Sequence, residues 1–420
     1  MTEPSAAPAP RRAAIVFIFI TVVLDILALG MIIPVLPRLV AGFLGNDTAR
    51  AAQMFGVFGT VWAFMQFFAS PVLGALSDRF GRRPVILTSN FGLGLDYLLM
   101  AWAPTLGWLF VGRVISGITA ASIPTAYAYI ADVTPPEKRA GAFGLMGAAF
   151  GLGFVLGPAL GGFLGDIDLH LPFWVAAGLS LANGCYGTFV LPESLSRENR
   201  SRFEWRKANP VGSLKLLRSH PELFGLAMVI FLCTLAHEVL PSVSVLYTGY
   251  RYHWSERDVG MMLAGVGICV AIVQGGLVRI VIRRFGDWPA LTSGLVFGAI
   301  GFAIYGLAPT GTIFWIGVPI VSLWGFTGAA VNGLMTRHVQ PNEQGQLQGA
   351  NNSLRGIAGM FGPGIHTSVF ASFIGERASW HLPGAPFLLS SLLLVIALVV
   401  AWRAARSREI NPAPCSDPAG

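Results

Sequence analysis

Charge is what this 420-residue chain has least of. Asp, Glu, Lys and Arg together make up 12% of it, about half the share of an ordinary soluble domain. Only three lysines occur, Lys138, Lys207 and Lys215, and none stands in the glycine spacing of a phosphate-binding loop. The chain is therefore not expected to carry an ATPase of that type. Cysteine is nearly absent: Cys185, Cys233 and Cys269 fall inside apolar runs, and Cys415 lies close to the C-terminal end. No spacing suits a disulfide framework, a redox pair or a zinc site, so no cofactor or metal is expected. A chain that is 54% hydrophobic is too apolar for disorder. Its formal net charge of +7 is scattered through short loops, which argues against nucleic acid as a partner.

What the chain does have is long apolar runs. A membrane span needs about 20 mostly apolar residues. Twelve such runs are present, at 13–36, 53–76, 84–103, 106–130, 141–164, 172–191, 222–247, 258–282, 289–308, 312–335, 345–374 and 382–403. This predicts an all-α integral membrane protein of twelve transmembrane helices. The 51 Gly and 27 Pro agree, because both are commoner in membrane helices than in soluble ones. The first run is too long for a signal peptide, carries Asp25 at its centre and lacks a small-residue cleavage site.

The basic residues set the orientation. With both termini cytoplasmic, 21 of the 28 fall on inner segments. Five, namely Arg38, Arg50, Arg251, Arg257 and Arg377, fall on outer loops, and Arg113 and Arg355 lie within spans. That is a strong positive-inside bias. The expected organisation is a cytoplasmic tail at 1–12, six helices over 13–191, a polar cytoplasmic linker at 192–221, six helices over 222–403, and a cytoplasmic tail at 404–420. The halves read as a duplication. "RFGRRP" at 79–84 reappears as "RFGDWP" at 284–289, Ala103-Pro104 as Ala308-Pro309, and Gly157-Pro158 as Gly362-Pro363, all at an offset of 205. Two pseudo-symmetric six-helix halves are a secondary-transporter architecture.

The ionisable residues inside the spans are the candidate site. Asp25 and Asp96 each lie about 18 Å along their helices from the inner end, near the midplane. A carboxylate there is expensive, so it faces a cavity, pairs, or binds a proton. The plain alternative is a structural ion pair with Arg113. In the seventh span His237 and Glu238 precede Pro241, a plausible proton or cation site beside a helix bend. Adjacent residues point about 100° apart, so only one of them faces a cavity squarely. Gln344, Gln348, Asn352 and Arg355 recur every three or four residues, one polar face of the eleventh span. Gln348, Asn352 and Arg355 are candidate substrate contacts, and Arg355 is a candidate partner of Glu238. At the inner edge, Asp78, Arg82 and Arg83 are too far from the midplane to touch a central substrate. Asp78 suits the N-terminus of the eleventh span, and Arg82 or Arg83 is a candidate partner of Asp132. The glycine run 147–162 allows close helix approach, with Pro158 bending the helix.

These segments resemble one family. "GALSDRFGRRP" (74–84) is similar to the loop motif between helices 2 and 3 of the major facilitator superfamily. "GRVISGITAA" (112–121) resembles its helix 4 motif with a buried Arg, and "GAAFGLGFVLGPALGG" (147–162) the helix 5 motif of drug/proton antiporters. "LDILALGMIIPVLP" (24–37), "GLDYLLMA" (94–101) and "EQGQLQG" (343–349) resemble the tetracycline/proton antiporter branch. The likeness runs from about 13 to 400.

The resemblance implies that Asp25 and Asp96 are functional and that Arg113 assists proton transfer. It implies that Asp78, Arg82, Arg83 and Asp132 latch the inner side closed, and that Gly153, Gly157 and Pro158 mark an antiporter. Gln274 matches a Gln of the tetracycline branch and is a candidate drug contact, with Asp25, Asp96 and His237. That branch carries a His in span 8 and an Asp in span 9, where this chain has Val270 and Gly298. Proton coupling would then rest on Asp25, Asp96, Arg113 and Glu238. The expected protein is a monomeric transporter of the inner membrane. It exports a small amphipathic compound, a tetracycline-like drug or other xenobiotic, in exchange for protons by alternating access. The alternatives are a proton symporter importing a sugar or other metabolite, and a non-transporting receptor or enzyme. No cluster of nucleophile, base and oxyanion donors supports the last.

Overall fold

The structure is a computed structural model that describes residues 10–120, 122–201, 209, 212–219, 223–340, 343–375 and 380–410. Eleven of the 30 residues of the expected linker, part of each expected tail, and Cys415 lie outside the described residues. Among the described residues the chain is helical, with no strand.

Among the described residues, eleven helices are long and apolar enough to cross a membrane. They are α1 (Val16–Phe43), α2 (Thr48–Phe80), α3 (Arg82–Ala101), α4 (Leu106–Val133), α5 (Gly141–Ile167), α7 (Phe224–Tyr252), α8 (Glu256–Phe285), α9 (Asp287–Leu307), α10 (Gly311–Thr336), α11 (Gln344–Ile374) and α12 (Ala385–Ala405). The expected sixth span forms α6 (Leu171–Val190) at 20 residues. Ser180, Asn183 and Tyr186 lower its mean hydropathy below that of the others. Their position in the packing explains this: Ser180 and Asn183 are buried against protein. The fold is the twelve-helix membrane fold that the apolar runs predict.

Several helices are interrupted where the backbone ladder loses a donor. In α1, Pro34 has no N–H, and the regular helix stops at Ile32 and restarts at Leu36. In α7, Pro241 cannot donate to the His237 carbonyl, and the helix breaks at Glu238. The break leaves carbonyls for side chains to satisfy. The His366 Nε2 of α11 lies 2.9 Å from the Leu235 carbonyl oxygen. The Ser390 hydroxyl of α12 donates to the Ala236 carbonyl at 3.0 Å. α10 breaks at Leu323–Trp324. α8 contains a π-helical turn, Val273–Leu277.

The chain divides into two compact units. The first comprises residues 1–210 and 244–268, the second 211–243 and 269–420. The C-terminal part of α7 and the first half of α8 therefore pack with the first six helices.

In the first unit, α1 and α5 meet through glycines four residues apart. A methyl at Gly157 would lie 2.8 Å from Gly30 Cα and 2.9 Å from the Leu27 carbonyl oxygen. At Gly161 it would collide with the Met31 carbonyl. The glycine run thus brings two backbones to closest approach. The next face of α5 takes α8, where Gly162 lies against the Glu256 carbonyl and Gly260 against the Pro158 carbonyl. Arg38 bonds Glu256 at 2.8 Å and also reaches the Trp254 carbonyl.

Candidate functional site

Thr21 and Asp25 are one turn apart on α1, so they share a face. Both are buried, Asp25 at 5% exposure. Asn183 of α6 sits between them. Its Nδ2 donates to Asp25 Oδ1 at 3.2 Å and to the Thr21 carbonyl at 3.3 Å, and its Oδ1 accepts from the Thr21 hydroxyl at 3.2 Å.

Asp96 of α3 is fully buried. Its polar neighbours are Arg113 and Ser116 of α4, and Tyr97 lies within the field of Asp25, Asp96 and Arg113. The helix 4 motif explains the approach: at Gly112, a methyl would lie 2.8 Å from Asp96 Oδ1. The Arg113 Nε has no hydrogen-bond partner among the described residues. The Arg113 guanidinium instead stands over the Trp62 ring, 5.5 Å from its centroid, a cation–π contact. The structure groups Arg113 with Asp96 and Tyr97, and the partner of Asp25 in α6 is an amide. Asp25, Asp96 and Arg113 thus belong to one polar cluster around Tyr97.

The second unit holds the other expected residues. His237 is exposed and its ring lies 5.9 Å from that of Trp324. Arg355 is in electrostatic range of His237 and Cys233. Glu238 is half-buried, its side-chain stem seated on Gly362, where a methyl would lie 2.4 Å from Glu238 Cγ. Arg355 thus stands with His237, and Glu238 fills the space that Gly362 leaves. Gln344, Gln348, Asn352 and Arg355 are all exposed, and Leu347, Ala350 and Asn351 on the same helix are buried, so the polar stripe is one exposed face. Gln274 is exposed in the π turn of α8, beside Gly325.

At one end of the first unit's helices Arg82 is a hub. Its Nε bonds Asp132 at 3.0 Å and its Nη1 bonds Ser77 at 3.0 Å and also Asp78. Arg83 turns away to the Thr188 carbonyl at 2.6 Å. Of the two candidate partners of Asp132, Arg82 is the one in contact. Asp78 is paired within its own unit. Glu193 accepts from the Arg82 and Arg83 backbone N–H groups at 2.8 and 3.3 Å, and Ser194 bonds Asp132 at 3.0 Å. Between α2 and α3, Gly81 adopts φ +112°, a conformation that favours glycine.

Sequence reasoning missed Asn183, Trp62, Trp324 and Glu193. Asn183 carried a signal, an amide in the middle of a span. The aromatic pair carried none, because tryptophan in an apolar run is ordinary core.

With this geometry in view, comparison with known proteins decides the family. The family model for the Major Facilitator Superfamily matches residues 18–363. The chain belongs to this superfamily. Among curated members it is 38% identical over 401 residues to the class C tetracycline resistance protein of Escherichia coli, covering 95% of this chain and 98% of that protein. It is 33% identical to the class E protein of the same organism, covering 96% and 97%. Among solved structures it is similar to the human organic anion transporter MFSD10, with a TM-score of 0.69 and 24% identity over 94% of this chain and 100% of that one. The last is a likeness of fold.

As a member of the superfamily the protein is a multi-pass membrane transporter of small molecules, with tetracycline resistance proteins as relatives. Its departure at Gly298 has a packing reason. A methyl there would lie 2.7 Å from Leu394 Cδ1 and 2.9 Å from Trp324 Cγ. The indole occupies the space into which a larger residue would project.

Proposed function

We propose that the protein exports a small amphipathic compound, of the kind for which its tetracycline resistance relatives are named, in exchange for protons. The observation that carries this reading is the pair of buried acids, Asp25 and Asp96, in one cluster with Arg113 at mid-membrane depth. A carboxylate is retained in such a place when its charge is used. Asp25, Asp96 and Arg113 couple the proton, with Glu238 as the acid of the C-terminal half. His237, Gln274, Gln348, Asn352 and Arg355 contact substrate together with Asp25 and Asp96. Asp78, Arg82, Arg83 and Asp132 form the inner gate, and Gly153, Gly157 and Pro158 shape the antiporter packing of α5 on α1. The working unit is a monomer in the cell inner membrane with both termini cytoplasmic. Its halves, 13–191 and 222–403 joined by 192–221, alternate access to the substrate.

Accumulation of tetracycline and of a panel of unrelated drugs in expressing cells, with and without a protonophore, tests the reading. Lowered accumulation that the protonophore restores is the expected result. Protonophore-sensitive uptake of a sugar or other metabolite, with no drug extruded, would replace the antiporter with a symporter.

A further inference from the structure

Asn183 makes three hydrogen bonds inside the first unit, and together they fix which way its amide points. Flipping it would set its oxygen against the Asp25 carboxylate and the Thr21 carbonyl, and its N–H₂ against the Thr21 hydroxyl proton. The partners therefore hold the N–H on Asp25 Oδ1. An oxygen that accepts a fixed N–H is the carbonyl oxygen of the protonated acid, which leaves the hydroxyl to the other oxygen.

We propose that Asn183 is the positioning residue that directs the exchanged proton to Oδ2 of Asp25. Binding forms one O–H bond at Oδ2 and turns the carboxylate into a neutral acid. Release breaks that bond and returns the proton to water. Asn183 neither gains nor loses a proton in either step. The inference rests on the reading that Asp25 exchanges protons.

The surroundings of Asp25 are specific. Tyr97 and Asp96 of α3 and Arg113 of α4 belong to the same cluster. α4 also packs Tyr129 into the core against α1. α5 presents Gly153, Gly157 and Gly161 to α1, with Lys138 and Arg139 in the helical turns that precede it at the inner edge. From α6 the group facing Asp25 is Asn183 itself, one helix turn from the exposed Tyr186. Asn183 is the residue for which a donor bond to Asp25 is seen, so removing it changes the acid without removing a charge.

The test reads the acid directly and needs no substrate. The purified full-length protein in lipid nanodiscs is titrated while infrared difference spectra are recorded. The band lost in Asp25→Asn identifies the Asp25 carboxyl. Asn183→Leu is expected to move its C=O stretch to higher wavenumber, because that oxygen no longer accepts an N–H. Thr21→Val, which keeps Asn183 and frees its amide to turn, is expected to give the same change in smaller measure, and serves if Asn183→Leu fails to fold. An Asp25 band that neither variant moves overturns the inference and leaves the proton-exchange reading standing. If Asp25→Asn removes no titrating band, the proton-exchange reading fails and this inference fails with it.

Discussion

Arg82 and Asp132 form a pair that recurs 205 residues later as Asp287 and Arg337, with the charges exchanged. The turns that precede the two pairs match too, since Gly81 and Gly286 both have positive φ. The exchange reverses the relation to the helix ends. Asp287 begins α9 and Arg337 follows the end of α10, each at the helix end that favours its charge. Arg82 begins α3 and Asp132 lies in the last turn of α4, each at the unfavourable end. The pair in the first unit is held by its extra partners Ser77, Asp78, Glu193 and Ser194, the one in the second by the helices themselves.

The worth of each arginine is set by the carboxylate it leaves behind. Asp132 is 21% exposed and keeps the Ser194 hydroxyl, whereas the Asp287 side chain is 6% exposed. Arg82→Gln and Arg337→Gln should each cost about 1–3 kcal/mol of stability, Arg337→Gln despite the exposure of its own side chain. Thermal unfolding of the two variants in the same detergent compares them, and a negligible loss in Arg337→Gln would contradict the assignment.

Asp25→Asn and Asp96→Asn keep the volume of each side chain and remove its charge. Each should leave expression intact and abolish protonophore-sensitive export. Export at the wild-type rate in either variant would remove that acid from the coupling mechanism.

Glycines of the helix 5 motif should not be equivalent. Gly157→Ala and Gly161→Ala press a methyl into the backbone of α1 and should cost about 1–3 kcal/mol or more as overpacking. Gly147 and Gly151 have no neighbour within 4 Å of a methyl. Alanine at either should be neutral or slightly stabilising through higher helix propensity. The yield of folded protein after membrane extraction separates the two classes.

Restoring the acid that the tetracycline branch carries in the ninth span should fail for a steric reason. Gly298→Asp alone drives its side chain into Trp324 and Leu394 and should lower the folded yield. The double variant Gly298→Asp with Trp324→Leu should recover part of it. No recovery would mean that burial of the charge, and not the indole, forbids the acid.

Much of this was legible in the sequence. Span number, the 205-residue repeat and the midplane acids all follow from long-range pattern, which membrane solvation enforces without exception. Burial of Asp25 and Asp96 could be read from depth alone. Their partners could not, because hydropathy gives position along a helix and says nothing of which helix stands beside it. The sequence offers Arg113 to both acids, and the structure groups it with Asp96 and Tyr97. Arg355 was offered to Glu238 and stands with His237. The repeat offset held a further clue, since adding 205 to Arg82 and to Asp132 lands on an Asp and an Arg, but opposite signs hide the match from a comparison of residue types.

The places where the chain passes between the two compact units lie inside helices α7 and α8, after residue 243 and after residue 268. Each crossing has a fault in the hydrogen-bond ladder close by, the break at Glu238 on one side and the π turn beginning at Val273 on the other. A helix bends most readily where its regular bonding pattern is interrupted, so these two short stretches are where α7 and α8 would flex. At the first of them the carbonyls keep their His366 and Ser390 donors from α11 and α12, so a bend there would leave no backbone oxygen without a partner.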